Sequence, residues 1–296
     1  MRARLLAALM LLAIADCSSG SHASASPPAQ NKRSKSDADI NTIGHRRIVD
    51  DANFYSPAKE KELGKQLSAK VDQNSKLLKD PAIEEYIGRV AQNVAKNSDA
   101  QMPIAVLVLD TDAVEAFTLP GGYQYVTRGL LRSLDGEAEL ASIMARGIAH
   151  TALRSATRLA TKEQIIQIAG VPTPSTTGGT FLEPPLATLK IRRDDEFDAD
   201  YFGVQYLYKA GYDPRCFTEV VQRIWGNSST AGAKVPKVFS SFPPLDERLA
   251  ALRKEISTIL PPRADAIAST PEFDLFKERL RAKNAEGPEP KTTPED

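Results

Sequence analysis

Residues 146–150 read Arg146-Gly147-Ile148-Ala149-His150, and positions 146 and 150 of a helix lie one turn apart on one face. Two imidazoles at that spacing can grip a zinc ion, and a glutamate after the first can take a proton from the metal's water, the pattern H-E-x-x-H. In this chain the first imidazole position holds Arg146, the base position holds Gly147, and His150 alone remains. Arginine offers only donors and stays charged, so it does not act as a ligand in place of imidazole. Glycine has no side chain to serve as base, and in a helix interior it costs about 1 kcal/mol against alanine. Taken alone, His150 reads as a buried helix histidine. A second polar group, Asp194-Asp195-Glu196-Phe197-Asp198-Ala199-Asp200, puts Glu196 and Asp200 one turn apart on one face. Taken alone, it reads as a solvated acidic face balanced by Arg192 and Arg193.

The surroundings give both segments a frame. Upstream stands Glu115-Ala116-Phe117-Thr118-Leu119-Pro120-Gly121-Gly122-Tyr123-Gln124-Tyr125-Val126, and downstream stands Glu196-Phe197-Asp198-Ala199-Asp200. Over about residues 55–260 the chain resembles the HtpX-like and BepA-like zinc metallopeptidases, relatives of the CAAX prenyl endopeptidases, whose order is N-A-F-x-L-P-G-G-x-x-x-V, H-E-x-x-H, E-x-x-A-D and a late H-P before Arg-Leu. The resemblance implies an α+β, mostly helical zincin-like domain with a hairpin flanking the active-site helix. It also implies that His150 and Glu196 match the second and third zinc ligands, that Arg146 occupies the lost ligand position, and that Asp200 supports the ligands from behind. Gly147 then stands at the general-base position and Phe242 at that of the late His, while Arg248-Leu249 is kept. Leu119, Pro120, Gly121 and Gly122 belong to the substrate-flanking strand, where Glu115 replaces the usual Asn.

These elements must be positioned by ordinary helix and strand signals. Ser56-Pro57 and Asp80-Pro81 predict two helix starts, with apolar stripes through Leu63, Leu67 and Val71 and through Ile83, Tyr86, Ile87, Val90 and Val94. Ile104 to Leu109 and two runs within Phe117 to Thr127 predict a sheet of about three strands. Asp135 is the expected cap of the helix carrying Arg146, whose buried face is expected through Leu140, Ile143, Met144 and Ile148. Residues 170–185 carry four prolines and three glycines and read as a loop, followed by a helix from about Leu186 to Ala210 that Gly211 and Pro214 end. A helix over Leu245 to Ile259 and a last amphipathic helix after Ser269-Thr270-Pro271 complete the chain.

With 296 residues, 42% of them hydrophobic, the chain is long enough for one sizeable core. Its 38 basic and 38 acidic side chains balance, so net charge gives no sign of an electrostatic grip on nucleic acid or an acidic membrane, and no nucleic-acid partner is expected. Arg2 and Arg4 precede an apolar run from Leu5 to Ala15, too short for the roughly 20 residues of a membrane span and readable as an export signal. Ile14-Ala15-Asp16-Cys17 resembles a bacterial lipobox with lipid attached at Cys17; Ala23-Ser24-Ala25 is the rival cleavage site. The expected organisation is a signal peptide over 1–17, a flexible tether over 18–53, a metallopeptidase-like domain over 54–260, a helical extension over 261–285 and a disordered tail over 286–296. The address is then the periplasm or outer membrane of a bacterium.

The functional expectation is a catalytically inactive peptidase fold kept to bind peptide or protein clients, with zinc absent or weakly held and a lipid anchor as the membrane contact. Two alternatives stand beside it: an active zinc endopeptidase drawing on Asp194, Asp195 or Asp198, and a structural partner of an active paralogue. Without zinc, Glu196 would need another cation, so an Arg146–Glu196 ion pair, for which bidentate geometry is open, is expected at the metal position.

Overall fold

The computed structural model describes residues 35–49, 52–168, 193–226 and 244–285. Helix α1 (Pro57–Asn74) starts where Ser56 accepts from the Lys59 N–H at 3.2 Å, and α2 (Pro81–Lys96) where Asp80 accepts from the N–H groups of Ala82 and Ile83. Both have proline in the first turn, where its missing N–H is not needed. The apolar stripe of α2 is buried as its spacing predicts: Ile83, Tyr86, Ile87, Val90 and Val94 all enter the core.

Three strands follow, β1 (Ala105–Leu109), β2 (Ala116–Leu119) and β3 (Tyr123–Thr127), in the order β1-β3-β2. β1 runs parallel to β3, and β2 runs antiparallel to it through a turn at Pro120–Gly122. Gly121 and Gly122 hold φ of 76° and 89°, a region that side chains disfavour, so this turn depends on its two glycines. The Thr127 N–H donates to the Glu115 carbonyl at 3.1 Å, making 115 and 127 a hydrogen-bonded pair. By antiparallel alternation Phe117 and Leu119 also face β3, which turns the N–H and C=O groups of Ala116 and Thr118 to the outer edge of β2, an edge that no strand pairs among the described residues. Phe117 stacks on Tyr125 at 5.0 Å on one face of the sheet, among Leu67 and Leu119. Thr118 and Gln124, opposite each other, lie on the other face.

After α3 (Arg128–Ser133), helix α4 (Glu137–Ala152) passes beneath that second face. Gly136, rather than the expected Asp135, occupies its cap position. Every residue of α4 except Arg146 and Ala152 is buried, so it is the central helix of the core and not a surface helix with one apolar face. Around it stand α5 (Ser155–Ile168), α6 (Arg193–Lys209), α7 (Arg215–Gly226), α8 (Leu245–Ile259) and α9 (Pro271–Ala285). Helix α6 stops at Gly211, whose φ of 97° lets the Tyr212 N–H return to the Leu207 carbonyl at 3.2 Å. Among the described residues no helix is long and apolar enough to cross a membrane.

Two expected boundaries move. Residues 35–49, placed in a tether by composition, pack on the body: Ile43 joins the core, and Arg46 donates to Asp99 at 2.7 and 3.0 Å and to Gln205 at 2.7 Å. The ion pair links positions far apart in sequence, which local composition does not register. Helix α9, expected as an extension, shares the main core through Phe273, Phe276 and Leu280, and Phe276 stacks on Tyr86 at 4.8 Å. The segments expected to be a signal peptide with Cys17, the first part of a tether, the 170–185 loop and the 286–296 tail, together with Phe242, lie outside the described residues.

Candidate active site

The side chains that sequence spacing singled out on α4 and α6 meet. Arg146 reaches from α4 to Glu196 on α6 and forms an ion pair with it, while its Nε stands 3.4 Å from Oδ1 of Asp200 one turn further along α6. Asp200 thus lies within reach of the same guanidinium as Glu196. Asp200 is in turn held by Arg248 of α8, whose Nε and Nη2 each donate to one carboxylate oxygen at 2.8 Å. His150, 5% exposed, places Nδ1 3.3 Å from the Ser155 hydroxyl and Nε2 3.8 Å from Oε1 of Glu196. Neither that Nε2 nor that Oε1 has a hydrogen-bond partner among the described residues.

Charge follows from this geometry. Burial pushes the His150 pKa well below the usual imidazole range, and the nearby Arg146 and Arg248 cations push it the same way, so the ring is neutral at pH 7. Burial raises the Glu196 pKa, with Arg146 and Arg248 pulling against it. Two guanidinium cations thus face two carboxylates around a neutral imidazole. Asp195, one of the acids considered as a replacement ligand, turns toward Arg158 at 3.9 Å, and Asp194 is exposed.

Above Gly147 the sheet closes down. A Cβ at that position would stand 2.7 Å from Cδ of Gln124 and 2.8 Å from Oγ1 of Thr118, so those side chains fill the space beside the helix where a base would project. A small cleft of about 20 Å³ remains, lined by Thr118, Gln124, Arg146 and Gly147 with Ile143 and Phe217 as apolar wall. Leu119, Pro120, Gly121 and Gly122 contribute no polar side chain to it; their part is to hold the hairpin. Glu115 precedes β2, and burial raises its carboxyl pKa. Sequence reasoning missed Gln124 and Thr118. The signal was available for Gln124: it is a polar residue in Tyr-Gln-Tyr-Val-Thr at an alternate position facing a buried helix.

A buried helix offering residues 146 and 150, a neighbouring helix offering a carboxylate and a strand lying over the first helix form the scaffold of a zincin-like metallopeptidase. The chain belongs to peptidase family M48, whose family model matches residues 81–256. It is 24% identical to the beta-barrel assembly-enhancing protease of Yersinia pestis over 69% of this chain and 44% of the relative. The protein of the same description from Escherichia coli K12 is 22% identical over 76% of this chain and 48% of the relative. A mitochondrial metalloendopeptidase OMA1 of Arabidopsis thaliana is 32% identical over 40% of this chain and 25% of the relative. The chain therefore spans about half the length of the bacterial relatives it matches.

Proposed function

We propose that this chain is a pseudopeptidase: an M48 fold that has exchanged its metal for an arginine and acts by binding extended peptides or protein clients. The observation that carries the reading is the Arg146–Glu196 ion pair. M48 peptidases depend on zinc, and the donor set here does not fit the ion. His150 and Glu196 stand at two of the three ligand positions that the family frame implies, 3.8 Å apart, while the third supplies a permanent cation that already sits on Glu196. A zinc ion there would have to displace Arg146 or share a site with it, at a cost that a dry interior magnifies. Gly147 supplies no base, so the water-activating step has lost both of its parts.

What the fold keeps is the open edge of β2. An extended peptide added there would bond to the main-chain groups of Ala116 and Thr118, which needs neither metal nor base. The relatives named as beta-barrel assembly-enhancing proteases support unfolded or assembling envelope proteins as the client class. The export signal and Cys17 support a bacterial envelope address, with a lipid anchor as membrane contact. Metal analysis of the purified protein, combined with casein cleavage with and without a chelator, tests the reading. It is expected to carry no stoichiometric zinc and to leave casein intact; zinc at one per chain with chelator-sensitive cleavage would overturn it.

A further inference from the structure

Gln124 stands in the middle of β3, opposite Thr118 of β2, and its amide lies over Gly147. The missing side chain at 147 is what makes room for it, since even a methyl group there would meet Cδ at 2.7 Å. Gln124 is 2% exposed, yet its Nε2 has no hydrogen-bond partner among the described residues. A buried amide without a partner costs stability, and folded interiors keep few of them. The cleft it lines, about 20 Å³, has room for one water-sized group. That group would lie between an amide donor, the Thr118 hydroxyl and the Arg146 guanidinium, under the only strand that presents an open edge to α4's cleft among the described residues.

We propose that the Gln124 side-chain amide is a ligand-binding donor, receiving an acceptor oxygen of a peptide docked along β2 where the catalytic pair of an active enzyme would act. This rests on the strand-addition reading above and adds to it a named anchor. An oxygen from the ligand fits the free volume, satisfies Nε2 and leaves the Arg146–Glu196–Asp200 network untouched. The substitution of a base by Gly147 then serves binding as well as ending chemistry, because only glycine lets the amide occupy that place.

The discriminating variant is Gln124→Met, which keeps the volume and removes the amide. Fluorescence anisotropy with a fluorescein-labelled, unfolded casein fragment gives the affinity, and thermal denaturation of the same samples gives the melting temperature. The wild type is expected to bind, and Gln124→Met to bind roughly three- to tenfold more weakly, the worth of one hydrogen bond. The variant's melting temperature is expected to stay level or rise by roughly a few degrees, because an unsatisfied buried donor has gone. Gly147→Ala, which displaces the amide without altering it, is expected to weaken binding in the same way. Equal affinity of wild type and Gln124→Met would overturn this inference and leave strand addition standing. A lowered melting temperature in Gln124→Met would mark the amide as structural and overturn it too. Failure of the wild type to bind would refute the strand-addition reading itself.

Discussion

The two ends of α4 carry similar numbers of buried polar groups and treat them in opposite ways. At the N-terminal end Glu137 accepts from Tyr86 at 2.6 Å, from Tyr212 at 2.8 Å and from Thr270, and Glu139 accepts from the Asp135 N–H and from Arg223, both at 2.6 Å. Every bond there has a partner, and the partners come from α2, α7 and the turns that precede α4, α7 and α9. At the C-terminal end His150 Nε2, Glu196 Oε1 and Gln124 Nε2 have none among the described residues. Buried polar groups that are satisfied build architecture, whereas an unsatisfied one is uncommon and calls for its own physical account. One helix thus holds the joint of the fold and the polar groups of the candidate site, separated by about two turns.

Rebuilding the open end should have the largest effect. By the family frame Arg146→His with Gly147→Glu would supply, with His150 and Glu196, three ligands and a base; calorimetry is expected to show zinc uptake by this variant and none by the wild type. The new glutamate meets Gln124 and Thr118, so adding Gln124→Ala should raise zinc occupancy further. Casein cleavage is expected to stay poor until Phe242→His is added as well. No zinc uptake by a folded triple variant that includes Gln124→Ala would mean that α6 no longer presents Glu196 as a ligand.

The satisfied end should break most severely under simple truncation. Glu137→Ala strands two buried hydroxyls, those of Tyr86 and Tyr212, and a half-buried one, that of Thr270, and chemical denaturation is expected to show a loss of roughly 3–4 kcal/mol. The ion pair at the open end comes next. Arg146→Met leaves Glu196 buried without its cation and should cost about 3 kcal/mol, whereas Arg146→Met with Glu196→Leu should recover most of that. A double variant as unstable as the single one would show that the two residues act separately.

The contrast also explains what could be read from the sequence. Arg146, His150, Glu196 and Asp200 were legible because helical spacing and a family frame placed them, and the expected Arg146–Glu196 contact is present. The hairpin glycines were legible because positive φ demands them. The satisfied end was not: Glu137 reads as an acid favouring a helix start, and nothing local announces that Tyr86, Tyr212 and Thr270 converge on it. The Arg46–Asp99 clasp was hidden for the same reason. Long-range side-chain bonds have no period, so a pattern search passes over them even when they hold the fold.

The smallest effect should come from the residue that looks most catalytic. His150 is buried and neutral, stands 3.3 Å from the Ser155 hydroxyl, and has no hydrogen-bond partner at Nε2 among the described residues. Leucine is close to it in size and brings no polar atom to satisfy. Losing the Ser155 contact and removing an orphaned nitrogen should nearly cancel, so His150→Leu is expected within about 1 kcal/mol of wild type by denaturation at pH 7.5. Tyr212→Phe, an equally small change at the other end, takes a hydrogen bond from a buried carboxylate and should cost about 2 kcal/mol. If His150→Leu proved the more damaging of the two, the open end would be a structural joint after all, and His150 would have a bonding partner in solution that ties α4 to α6.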